Sequence, residues 1–162
     1  MSTGYFQNKY EKLTDMDNAQ KRGRAFDYFI GLLFKQLPNV EVYIGKKSPS
    51  GEIDVYITCL DSPEWLTRLW GNSTAIENKW VNNRVETSDI STFHRKTKKF
   101  AAQCKICYFV SMSGFTSGDN LSAREEIQTA SNPALVGIGR NEVEKIIGDG
   151  TPEQLIRERM MM

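Results

Sequence analysis

Three short strand-forming runs stand almost back to back between residues 40 and 80, and this crowding constrains the fold more than any other feature. Val40–Gly45, Glu52–Leu60 and Thr74–Trp80 are rich in β-branched and aromatic residues. Ser48-Pro49-Ser50-Gly51 supplies turn chemistry between the first two. A link this short cannot hold the crossover that a parallel pair requires, so the sheet starts from locally paired antiparallel strands. Asp61–Asn72 is too long for a tight hairpin. Within it, Ser62-Pro63-Glu64 reads as an N-cap, a first-turn proline and a first-turn acid, predicting a short helix through Trp70.

The flanking segments have the helical period. Phe26, Phe29, Ile30, Leu33, Phe34 and Leu37 recur at three- and four-residue spacing, which predicts a helix from about Asn18 to Leu37, stopped by Pro38. A second long helix is expected from about Ser88 to Gln103, packed along Ile90, Phe93, Thr97 and Phe100. Ile106–Ser111 is almost continuously apolar, as in a strand buried on both faces. A helix near Asn120–Ser131, a strand at Ala134–Gly139 and one or two helices from Asn141 follow, with Met160–Met162 frayed. The order is helix, three strands, helix, strand, helix, strand. Early hairpins and later crossover helices give an α/β fold with a central mixed sheet flanked by helices.

At 162 residues without repeats or linkers, one domain is expected, its core at about 18–148, a short helical insertion at 62–70 and a helical extension at 149–162. With 40% hydrophobic and 25% charged residues, disorder and coiled coil are set aside. Three cysteines, an odd number, argue against a disulfide framework and fit a reducing cytoplasm. No apolar run approaches the roughly 20 residues of a membrane span, and the N-terminus lacks a signal-peptide core. Net charge is only +1, yet residues 79–105 carry seven basic side chains against Glu86 and Asp89. A polyanion should therefore meet the middle of the chain.

Charge in unexpected places marks the chemistry. Asp54 interrupts the second strand, and Glu77 and Lys79 interrupt the third. Residues two apart on a strand share a face, so Glu77 and Lys79 point the same way. A register that sets Asp54 opposite Glu77 also sets Leu60 opposite Gly71, just inside the intervening loop. Two neighbouring carboxylates repel unless a cation lies between them, and hard oxygen donors favour Mg²⁺ or Mn²⁺. Such an ion acidifies bound water and neutralises a phosphoryl group, while an adjacent ammonium holds that water or the developing charge. The competing reading is a salt-bridged patch on an exposed edge strand.

Asp54, Glu77-Asn78-Lys79 and the element order resemble the PD-(D/E)XK nuclease superfamily. Gly23-Arg24-Ala25-Phe26-Asp27, Val110-Ser111-Met112-Ser113-Gly114-Phe115-Thr116 and the strand at Ala134–Gly139 are most similar to its Mrr-like restriction endonuclease branch. The resemblance implies a restriction-endonuclease-like core and a divalent-metal-dependent endonuclease acting on DNA in restriction, defence or processing. Asp54 and Glu77 would then be metal ligands, joined by the Asn78 main-chain carbonyl and by Asp27, directly or through water. Lys79 would be the catalytic lysine. Asp27 stands where relatives often carry glutamate. Target recognition, and cleavage of both strands, would need a homodimer or a partner subunit. The alternative is an inactive nucleic-acid-binding or assembly module with the same fold.

The basic run after the third strand offers Arg95, Lys96 and Lys99 as phosphate contacts, with Lys96 best placed to lean toward the site. His94 is read as a surface residue. Cys104 and Cys107 form a CxxC without a second pair, so packing is preferred to zinc.

Overall fold

The computed structural model describes residues 3–48, 51–100, 103–118, 122–149 and 151–160. Its helices are α1 (Thr3–Thr14), α2 (Ala19–Phe34), α3 (Glu64–Trp70), α4 (Thr87–Thr97), α5 (Ala123–Thr129), α6 (Arg140–Asp149) and α7 (Glu153–Met160). Its strands are β1 (Glu41–Ser48), β2 (Gly51–Thr58), β3 (Ser73–Lys79), β4 (Ile106–Ser111) and β5 (Ala134–Gly139). They form one sheet in the order β1-β2-β3-β4-β5. The first two pairings are antiparallel and the last two parallel, so the sheet is mixed and β3 is its centre. The α/β class, the mixed sheet and the order of elements along the chain are those expected from the sequence.

Two apolar clusters cover the two faces. One joins α1, α2, α3, α6 and α7 to Val55, Ile57, Ile76, Tyr108 and Val110. The other joins α4 and α5 to Ile53, Tyr56, Ala75, Cys107 and Phe109. Burying β4 from both sides explains its unbroken apolar sequence.

Four details depart from the sequence reading. The helix α1 was not expected; only Phe6, Tyr10 and Leu13 carry its apolar stripe, too few to stand out among polar neighbours. The helix α2 stops at Phe34, because Gln36 and Leu37 turn back on Leu33 and Phe34 before Pro38. The helix α4 ends at Thr97 and tightens into a single 3₁₀ turn, Lys98–Phe100, rather than reaching Gln103. The Gln103 carbonyl is instead taken by the N–H groups of Asn72 and Ser73. Finally, Pro63 rather than Ser62 caps α3, and the Ser62 hydroxyl donates to the Asn39 carbonyl at 3.0 Å. The side chain of Phe100, and the frayed tail expected at residues 161–162, lie outside the described residues.

One irregularity positions the site. The β1–β2 ladder pairs Ile44 with Val55 and Lys46 with Ile53 but skips Gly45 and Asp54. Gly45 has φ of 65°, a left-handed conformation that a side chain disfavours. The alternation changes phase there. Val55 and Ile57 pack beneath α2, whereas Ile53, two residues earlier, packs with α4. Asp54 is the residue released from the ladder.

Candidate active site where β2 and β3 part

The register between β2 and β3 runs from Thr58↔Ser73 to Val55↔Ile76, and the next step would set Asp54 against Glu77. That is the offset expected from the loop length. The ladder ends there, however, and the Asp54 side chain takes over as acceptor. Its Oδ2 receives the Asn78 main-chain N–H at 2.9 Å. An N–H that would otherwise face a strand partner thus fixes the carboxylate in place.

Glu77 lies within hydrogen-bonding reach of Asp54. Burial, that hydrogen bond and the Asp54 charge push the Glu77 carboxyl up to about 8, against the opposing pull of Lys96. The Lys96 ammonium reaches Glu77 Oε2 at 3.3 Å and the Glu52 carbonyl at 3.2 Å. The side chains of Lys96 and Glu77 are only 21% and 15% exposed, so this is an interior ion pair rather than a surface one. Asp27, from α2, accepts a hydrogen bond from the Asn78 side-chain amide at 3.0 Å. Burial, followed by the Asp54 charge, raises Asp27 to about 7. The Asn78 Oδ1 is buried without a hydrogen-bond partner. Asp27, Asp54 and Glu77 therefore converge from both layers on the carboxyl-terminal half of β3.

Lys79 continues the line on the same side as Glu77. Its ammonium is 2.5 Å from Asp89 Oδ1. The other Asp89 oxygen accepts the Glu86 N–H at 3.0 Å in a capping box at the start of α4. Burial pushes Asp89 up, but the Lys79 hydrogen bond, the Glu86 N–H and the Lys79 charge outweigh it and hold it below the usual carboxylate range. Two ion pairs of opposite polarity thus tie β3 to α4. The charges are salt-bridged, as the competing reading requires, but on the central strand and not on an edge.

Of the basic residues considered from sequence, Lys96 enters the site, while Arg95 on α4 and Lys99 in the 3₁₀ turn after it are exposed. His94 is a staple: its Nε2 lies 3.1 and 2.9 Å from the carbonyls of Ser131 and Pro133. Cys104 and Cys107 are buried, with sulfurs 2.9 Å apart. Asp89 was missed as a member of the site, although Glu86 and Asp89 at capping-box spacing were a legible signal. Nothing in the sequence indicated that the Asn78 side chain would reach Asp27.

Among the described residues, no group of three or more His, Cys, Asp or Glu side chains is gathered to hold a metal ion. A magnesium shell requires less, since one or two carboxylates with waters and a phosphate oxygen suffice. The Asp54–Glu77 pair fits that requirement, because it sets two hard oxygen donors within hydrogen-bonding reach of each other. Among the described residues, no helix is long and apolar enough to cross a membrane. No family model, curated protein or solved structure matches this chain.

Proposed function

We propose that the chain is a divalent-metal-dependent endonuclease with a restriction-endonuclease-like core, hydrolysing phosphodiester bonds in DNA. The observation that carries this reading is the meeting of Asp54 and Glu77 at the parted ends of β2 and β3, with Lys79 beside them. Asp54, Glu77 and the Asn78 carbonyl would hold Mg²⁺ or Mn²⁺, with Asp27 acting directly or through water. The bound ion would supply an acidified water and neutralise charge on the phosphoryl group. The residues do the positioning. The Asn78 N–H orients Asp54, the Asn78 amide orients Asp27, and Asp89 aims the Lys79 ammonium. That ammonium stabilises the extra negative charge of the pentacovalent phosphate. Lys96, Arg95 and Lys99 are the proposed contacts to the nucleic-acid backbone. By resemblance, the products carry 5′-phosphate and 3′-hydroxyl ends, and cleavage of both strands requires a second copy or a partner subunit.

A second reading has an observation of its own. Glu77 and Lys79 are each neutralised by α4, through Lys96 and Asp89, an arrangement that also suits a binding module without turnover. Plasmid DNA incubated with the protein and Mg²⁺ or Mn²⁺ separates the two readings. The nuclease nicks it, and Glu77→Ala and Lys79→Ala each reduce the rate at least about 100-fold. Intact plasmid, retarded on a gel equally by all three proteins, establishes the binding module instead.

A further inference from the structure

A second feature lies beside the carboxylates. At the carboxyl ends of the parallel strands β4 and β5, between α5 and the start of α6, is a cavity of about 450 Å³. That volume falls within the range of small-molecule sites, and the carboxyl end of parallel strands is where open α/β sheets bind ligands. Phe115 and Ile127 contribute an apolar wall. Arg124, Gln128 and Asn141 also line it, with side chains exposed to solvent and so open to a ligand. An apolar wall, two amides that donate and accept, and a guanidinium are the groups that receive a base, read its edge and hold its phosphate.

The cavity abuts the candidate active site. Met112, on its rim, donates its N–H to the Lys79 carbonyl at 3.0 Å. Arg140, also on the rim, donates to the Met112 carbonyl at 3.2 Å and packs over the Trp80 ring at 5.6 Å. From β3 to β5 is two inter-strand spacings, about 10 Å. A strand with its scissile phosphate at Lys79 would thus carry a neighbouring nucleotide to this opening.

We infer that the cavity is a nucleotide subsite, taking a nucleoside monophosphate unit of the strand beside the cleaved bond. The inference rests on the nuclease reading for its place in the reaction, but binding tests it separately. The probes are the four deoxynucleoside 5′-monophosphates, titrated without divalent metal into the full chain. Binding is followed through the side-chain amide resonances of Gln128 and Asn141 in the wild type and of Gln128 in the variant. A specific site shifts both resonances saturably with at least one of the four, and Arg124→Ala with Asn141→Ala weakens that binding at least 10-fold. Unchanged thermal unfolding shows that the double variant folds. In plasmid cleavage, the same variant raises KM about 10-fold with kcat within a factor of about two. No saturable shift, or a shift unaffected by the double variant, overturns the inference even if cleavage depends on Glu77. Saturable, variant-sensitive binding by a protein that cuts nothing leaves the subsite standing while the nuclease reading falls.

Discussion

The two halves of β3 obey opposite rules. Ser73–Ile76 are buried among mostly apolar neighbours: Thr74 Oγ1 donates to the Ile106 carbonyl and the Trp70 indole to Tyr108 Oη, both at 2.7 Å, and among the described residues only the Ser73 hydroxyl of this half has no partner. Glu77–Lys79 are only partly buried, and four carboxyls (Asp27, Asp54, Glu77 and Asp89) and two ammonium groups (Lys79 and Lys96) meet there. The first half is stabilised by removing apolar surface from water. In the second, two carboxyls are held with raised proton affinity, so that part of the strand works against stability at neutral pH. The same strand is thus packed against apolar neighbours at one end and electrostatically loaded at the other.

The contrast can be broken most forcefully at its stable end. Trp70→Ala removes a fully buried indole and strands the Tyr108 hydroxyl. A loss of about 3–5 kcal/mol is expected, enough to lower the denaturation midpoint in urea sharply. A midpoint close to wild type would show that the first half of β3 is not the stabilising one.

Next comes the pH dependence of the charged end. Glu77 and Asp27 have folded-state values of about 8 and about 7, above the ordinary carboxylate range. The unfolded chain therefore releases these protons first. The contribution of these two groups to metal-free stability should be greatest below about pH 4 and be lost as pH rises to 7 and 8, by on the order of a few kcal/mol. Glu77→Gln should flatten most of that decline in thermal-unfolding scans from pH 5 to 8.5. Mn²⁺ should stabilise the wild type at pH 8 and leave Glu77→Gln nearly unmoved. A wild-type curve that rises across this range would remove the electrostatic half of the comparison.

Gly45 is the residue opposite Asp54 where the ladder is skipped. A side chain at φ of 65° is strained, and a Cβ there would meet Glu52 Oε1 at 3.3 Å. Gly45→Val is expected to cost about 1–2 kcal/mol and to reduce cleavage by more than that loss explains, since Asp54 is no longer presented. The smallest effect on folding belongs to Asp89→Asn. Its pair with Lys79 is 29% and 38% exposed, so stability should change by less than about 1 kcal/mol. Activity should nevertheless drop about 10-fold, because the Lys79 ammonium loses its anchor. Equal loss in Asp89→Asn and an exposed control such as Arg95→Gln would argue against that anchoring.

Much of the architecture was legible in the residues themselves. Ile106–Ser111 and Ala134–Gly139 show as strands at their observed limits, because an apolar run bounded by turn residues has few alternatives. The antiparallel offset between β2 and β3 followed from loop length and pattern period, which are one-dimensional quantities. Helix ends were less legible. At Gln103 and Ser62, a partner remote in sequence claims the polar group that would have extended or capped the helix.

Sequence alone therefore determined the kinds of element, their order, the α/β class and the presence of three ionisable groups on two neighbouring strands. Periodicity and turn chemistry are local and survive in any arrangement of the chain. Only the tertiary structure decided that Asp54 leaves its ladder opposite Gly45, that Asn78 bridges it to Asp27, and that Lys96 and Asp89 neutralise Glu77 and Lys79 from α4. Those contacts depend on where the sheet changes phase and how a helix lies across it, and a carboxylate's proton affinity depends on burial and on charges brought from far along the chain.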